Sequence, residues 1–134
     1  MKKQIFMSAV MLSLVGCGGT AYQNLGFTGG FETSQLNVDT WKINFAGNGH
    51  TRQARAEDMV LLKSSDLAIH SGYRYFVNIE GSDIYSSIGT YPNLTRVVKM
   101  YKAQPDTGRN IYDAFFICAS LGPKYDVDCS KKNN

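Results

Sequence analysis

Two histidines and three cysteines are all that these 134 residues offer of those types, and no Cys-x-x-Cys occurs. Structural zinc sites commonly draw their ligands in closely spaced pairs, so the pattern argues against one. His50 and His70 lie about one helix length apart, ~30 Å at the rise of an α-helix, too far to share a site. No serine stands in a Gly-x-Ser-x-Gly elbow, and Gly47-Asn48-Gly49-His50-Thr51 lacks the lysine and the spacing of a phosphate loop. That segment reads as a tight turn with a helix cap. An excess of one charge is missing too. The formal charge is +3, but without Lys2 and Lys3 the 14 basic side chains fall to 12 against 11 acids. No nucleic-acid footprint follows from that balance. No internal repeat is found. No catalytic residue, metal or cofactor is expected, and the chain reads as non-enzymatic.

Hydrophobic residues make up 43% and charged residues 19%, which excludes a disordered chain. Thirteen glycines and eight tyrosines favour strands and turns over a helical bundle. The first residues follow a different logic. Lys2 and Lys3 precede a mostly apolar stretch from Ile5 to Val15, then Gly16-Cys17. That stretch is about half the ~20 residues that a membrane-spanning helix needs. Leu14-Val15-Gly16-Cys17 resembles the lipobox of bacterial lipoprotein signal peptides. The resemblance implies cleavage before Cys17, a diacylglyceryl thioether on Cys17 and a further acyl chain on the new amino terminus. Two or three chains give stable anchoring where one is marginal. Gly18, rather than Asp, follows the cysteine, which in enteric-type sorting favours the outer membrane, facing the periplasm.

With Cys17 assigned to lipid, Cys118 and Cys129 remain. In an oxidising compartment they could pair, closing a short loop with a stabilisation of about 2–3 kcal/mol. The alternative is a buried Cys118 and a free thiol at Cys129.

The organisation expected is a signal peptide (1–16), a lipidated N-terminus and flexible tether (17–30), one domain (31–124) and a polar tail (125–134). Phe31 to Leu36 is a strand candidate. Trp41, Ile43 and Phe45 alternate with Lys42 and Asn44, the period of a half-buried strand paired with the first. Thr51 is positioned to cap a helix that runs from Arg52 to Ser71 without glycine or proline and stops at Gly72. Ala54, Leu61, Leu62, Ser65, Ala68 and Ile69 fall on its inner face, and Arg52, Arg55, Lys63 and Asp66 on the outer. Asp58 sits at the edge of the apolar stripe, with Arg74 or Arg96 as its expected partner. A strand follows, with Tyr73, Tyr75, Val77 and Ile79 on one face. Residues 81–94 read as a loop, part of which could be a short strand, then Arg96 to Ala103 as a strand. Asn110 caps a second helix from Ile111 to Leu121, ended by Gly122-Pro123; the alternative is a strand, since Phe115-Phe116-Ile117-Cys118 is β-prone, but both helix end signals are present. The fold class expected is α+β: a two-layer sandwich with a mainly antiparallel sheet of about four strands, one long helix and one short.

Several of these residues form a constellation. It comprises Gly29-Gly30-Phe31-Glu32, Trp41-x-Ile43-x-Phe45-x-Gly47-Asn48-x-x-Thr51, Glu57-Asp58 with Leu61-Leu62, Gly72-Tyr73-x-Tyr75-Phe76, Tyr112-Asp113-Ala114 and Leu121-Gly122. Over residues 29–122 it resembles a small family of uncharacterised proteobacterial envelope lipoproteins. The resemblance implies an envelope lipoprotein and assigns no activity or catalytic residue.

Among the tyrosines, Tyr73 and Tyr75 are expected to pack the sheet. Tyr85 and Tyr91, on the 81–94 loop, are the candidate contact residues, because tyrosine pairs an apolar body with a polar tip. The expected partners are the membrane, through the acyl chains on Cys17, and an envelope protein. The alternative is a small envelope ligand such as a glycan or lipid fragment, and a hydrolase is the least favoured class.

Overall fold

The computed structural model describes residues 19–85 and 91–131. The elements run β1 (Gly30–Asn37), β2 (Thr40–Ala46), α1 (Gln53–His70), β3 (Tyr75–Tyr85), β4 (Pro92–Tyr101), β5 (Ile111–Asp113) and α2 (Ala114–Leu121), then a 3₁₀ turn at Pro123–Tyr125. Among the described residues the strands form one antiparallel sheet in the order β1-β2-β4-β3-β5. This is the expected α+β class, with five strands rather than about four.

The β2 alternation sets the core. Ile43 and Phe45 are buried while Lys42 and Asn44 are exposed. Phe45 is in register with Phe31 on one side and Leu94 on the other, and the Phe31 and Phe45 rings are 5.1 Å apart. Farther along the same face, Phe76 is in register with Met100. Ala56, Met59, Val60 and Ala68 of α1 pack onto this face. Because β2 and β3 are each antiparallel to β4, they run parallel to one another, and α1 is the crossover between them. The helix stops where expected: Gly72 has φ +83°, and the Tyr73 N–H bonds the Ala68 carbonyl.

Several boundaries differ from the sequence reading. Residues 81–85 are strand, as are 92–95, so most of the expected loop is a β3–β4 hairpin. The second helix begins at Ala114, not Ile111. Asp113 caps it by accepting from the Phe115 and Phe116 N–H groups, and Ile111–Asp113 pairs with β3 instead. The Tyr112 ring stacks on Phe76 at 5.2 Å, which draws this short strand onto the sheet. The residue flanking the start of α1 is Arg52, and Thr51 turns its hydroxyl inward. Along α1, Ala54 is exposed while Lys63 and Asp66 are buried, the reverse of the expected faces. Lys63 and Asp66 are covered by the chain around Tyr22, which packs over the side of α1 that a two-layer sandwich would leave wet.

A bulge at Ile79 changes the faces of β3. Asn78 pairs with Val98 and Glu80 with Val97, so Ile79 is the extra residue. Phe76 points into the core and Val77 to the other face; beyond the bulge Glu80 joins the Val77 side and Gly81 takes the core side. The expected face of Tyr73, Tyr75, Val77 and Ile79 therefore ends at Val77. Gly81 has a local reason: a Cβ there would lie 2.9 Å from the Arg96 side chain.

The Cys118–Cys129 disulfide is formed across a sequence separation of 11. It ties α2 to the segment after Tyr125, so the expected polar tail is held as far as Cys129, which is itself buried.

Phe76→Ala is expected to cost about 3–5 kcal/mol of unfolding free energy in denaturant melts, against about 0.5 kcal/mol or less for the exposed Val38→Ala. Replacing both Cys118 and Cys129 with serine is expected to cost about 2–3 kcal/mol in the same measurement.

Candidate interaction surface

Residues 19–31 are docked on the domain rather than forming the flexible tether expected from their glycines. Thr20 is 1% exposed. Its N–H donates to Thr51 Oγ1 at 3.0 Å, and its hydroxyl donates to the Thr28 carbonyl at 3.1 Å. Thr51 Oγ1 also accepts from the Asn48 N–H, and its own proton has Asn48 Oδ1 in reach at 3.1 Å. Asn48 Nδ2 closes the set on the Thr28 carbonyl. Arg55 Nε adds a bond to the Thr20 carbonyl. These bonds explain Asn48-x-x-Thr51 as a turn that fastens a distant segment. They also use the N–H groups of Asn48 and His50 within the turn, so the turn reading of Gly47 to Thr51 holds.

The Gly29-Gly30 pair has a steric cause. Both have positive φ, +99° and +135°, and a Cβ on Gly29 would sit 2.2 Å from the Ala46 carbonyl oxygen. The chain can therefore fold back from 19–28 into β1 only with glycine at this point.

A second fastening uses Tyr22. Its hydroxyl donates to Asp66 Oδ2 at 2.8 Å, its ring meets Phe31 edge-on at 4.9 Å, and Lys63 Nζ lies 5.3 Å from the ring centre. Asp66 is 2% exposed and Lys63 5%. His70 Nε2 lies 3.2 Å from Asp66 Oδ1 and 2.8 Å from the Lys131 carbonyl; both are acceptors, so this nitrogen carries a proton. Burial first, then the charge of Asp66 and the bond to it, pushes the Tyr22 phenol far above its ordinary value. Burial lowers Lys63, with Asp66 opposing.

Asp58 finds neither Arg74 nor Arg96. Lys124 Nζ at 2.7 Å and Tyr125 Oη at 2.6 Å hold it instead, because the 3₁₀ turn after α2 lies against α1. Arg74 pairs with Asp113, and Arg96 with Asp83. His50 and His70 remain at opposite ends of α1. Among the described residues no group of three or more His, Cys, Asp or Glu could hold a metal.

The hairpin expected as a loop forms an arm of residues 80–85 and 92–97. β5 pairs with β3 only at Tyr75, Phe76 and Val77, so beyond Asn78 one edge of β3 has no neighbouring strand among the described residues. A groove of about 390 Å³ follows that edge, lined by Asn78, Glu80, Asp83, Arg96 and Arg109 among others. A second, of about 440 Å³, opens on the sheet face that carries no helix, between Leu36, Lys42, Glu80, Ser82, Thr95 and Val97. A smaller cavity of about 130 Å³ lies between α1 and the sheet, lined by Glu57, Leu61, Asn78, Arg96 and Tyr112 among others. Asn78 Oδ1 is buried without a hydrogen-bond partner among the described residues, and Arg109 Nη1 donates to the Asn78 carbonyl at 3.2 Å.

Tyr85 is the last residue of β3 and is in register with Pro92. Tyr91 precedes β4, is 42% exposed, and lies against Gly49, where a Cβ would be 3.2 Å from its ring. The structure thus brings the two candidate tyrosines to one end of the arm, beside the Gly47–Thr51 turn. Cys17 lies outside the described residues. Asp83, Arg109 and Asn78 are not singled out by the sequence and Arg96 only as a partner for Asp58, since none belongs to a local motif; the bulge and the hairpin pairing assemble them.

Tyr22→Phe is expected to lower stability by about 1.5–3 kcal/mol near neutral pH, because buried Asp66 loses a donor. The native phenol titrates above the ordinary 10.0, so its contribution is present below pH 10.0 and is lost as pH rises beyond it. Denaturant melts across that range should show a shallower alkaline loss for Tyr22→Phe than for the wild type. No protein-family model, curated protein or solved structure matches the chain, so its reading rests on this geometry.

Proposed function

We propose that the chain is a lipid-anchored envelope lipoprotein, held through Cys17 at the periplasmic face of the outer membrane, and that it acts there as a non-enzymatic interaction module. The observation that carries this reading is the β3–β4 arm. Its unpaired edge and the open grooves on either side offer main-chain groups, charged side chains and an apolar floor to an extended segment of another envelope protein. Anchoring the domain by acyl chains would keep that arm at high local concentration for a partner in the same membrane. The short polar N-region, the apolar stretch and Gly16-Cys17 support the anchor.

A second reading, a binder of a small envelope ligand, draws on one feature. Among the described residues Asn78 Oδ1 lacks a partner, and Asn78 lines both the edge groove and the cavity beneath α1, beside Arg96. A compact ligand with a hydrogen-bond donor next to an anionic group would suit those two side chains.

The test is a photoreactive amino acid placed in living cells at exposed position 82, with exposed position 102 as control. The expected result is a discrete adduct from position 82 alone, lost in Cys17→Ser. Adducts from both positions alike, or none from position 82 despite confirmed acylation, would overturn the interaction reading and turn the search to ligands for the Asn78 cavity.

A further inference from the structure

The clasp on Thr20 constrains where the domain can stand relative to a bilayer. Three peptide links separate Cys17 from Thr20, and fully extended they span about 11 Å. The glyceryl group on a lipidated cysteine lies at the headgroup level, with its acyl chains below. A domain fastened at Thr20 therefore has no slack to float away from the lipid. The side of the domain around Thr20 must meet the headgroups.

The chemistry of that side fits. Thr28, whose carbonyl accepts from Thr20 and Asn48, is preceded by Phe27, which is fully exposed at the tip of the Gly26–Gly29 turn. A bare phenylalanine is a poor surface residue in water and a good one in the interfacial layer of a membrane. Exposed Tyr91 lies on Gly49 in the adjoining turn. Basic side chains stand on the same side. Arg55 contacts the Thr20 carbonyl, and exposed Arg52 lies at the start of α1. The nearest acids on α1 are Glu57, which accepts from Gln53, and Asp58, which is paired with Lys124. Arg55 also lies over the Tyr125 ring, 5.1 Å from its centre, and exposed Arg52 is left to face lipid phosphate.

We propose that this end of the domain is a membrane-docking surface for a phospholipid leaflet, with Phe27 set into the headgroup layer and Arg52 against lipid phosphate. The inference rests on the lipid anchor at Cys17 proposed above and fixes the orientation that the anchor imposes. The opposite end, with the β1–β2 turn at Val38, then points away from the membrane, and the β3–β4 arm stands beside the surface.

The test uses the full lipidated chain in vesicles of phosphatidylethanolamine and phosphatidylglycerol. Nitroxide labels are attached through Phe27→Cys, His50→Cys or Val38→Cys, and acylation of Cys17 is checked by the mass of the N-terminal peptide. The expected result is several-fold slower collision with an aqueous relaxation reagent, and faster collision with oxygen, at positions 27 and 50 than at 38. In the His50-labelled chain, adding Phe27→Asp should return position 50 toward the aqueous value while the protein stays in the vesicle. Acylated protein with positions 27 and 50 as open as 38 would overturn the docking and leave the anchor standing. Shielding that grows with protein density in the vesicle would indicate contact with a second copy, and would also overturn it. Absence of acyl chains on Cys17 would remove the anchor, and the docking with it.

Discussion

The hydroxyl of Thr51 accepts backbone N–H groups from two separate segments, Thr20 and Asn48, and holds the start of the described chain to the start of the long helix. Little else in the fold could be arranged as it is without that junction. It sets where α1 begins, since Thr51 turns inward and leaves the helix to start after Arg52. It sets the path of 19–28, which must then reverse into β1 at Gly29-Gly30, where only glycine clears the Ala46 carbonyl. The reversal brings Phe31 beside Phe45 and Tyr22 beside Phe31, so the aromatic part of the core is a consequence of a polar clasp. Buried hydroxyl and amide groups cost little when each has a partner, and in this clasp the side chains of Thr20, Asn48 and Thr51 all do.

The sheet solves a different problem, how to end. At one side β5 covers three residues of β3 and stops. The bulge at Ile79 turns β3 at that place, and the strand continues as the outer strand of a hairpin. An uncovered edge is a liability that proteins blunt with charge and bulges. Glu80, Asp83, Arg96 and Arg109 do so here. The same devices leave a groove with alternating charge. Protection of an edge and specificity for a partner thus come from the same side chains. The grooves support an interaction role for the arm without assigning its partner.

What was legible in the sequence follows from how local each signal is. The period of two in Trp41, Ile43 and Phe45 was readable because one face is core and the other water. The long helix was readable from its uninterrupted run and Gly72. The α+β class followed from these. The hairpin was not, because Gly81, Ser82, Asp83 and Asn93 are poor strand formers and are held by pairing with each other's strands. β5 is too short to show a period, and Asp113 caps the helix that Asn110 was expected to cap. The docked N-terminal segment was illegible for a stronger reason. Thr20 and Tyr22 find their partners 31 and 44 residues away, and a glycine-rich polar stretch reads as flexible until those partners are known. The same distance hid the Asp58 partners in the 3₁₀ turn after α2.

For a chain anchored at Cys17, the two fastenings of residues 19–31 also decide how force travels. Any pull between membrane and domain arrives first at Thr20. A free tether would pass it to Gly30 and peel β1, an edge strand, from β2 one pair at a time. The clasp diverts it instead to Thr51, just before α1, and to Arg55 on α1, and the Tyr22–Asp66 bond lies behind as a second hold on the same helix. The helix is packed on β2, β3 and β4 together, so the load is spread across the centre of the sheet. Segments that open easily are those with few buried contacts and solvent-exposed bonds. Here the stretch nearest the anchor has buried bonds, and its fraying would require α1 to give up partners in the core. That coupling is the physical reason to regard residues 19–31 as part of the domain rather than as its leash.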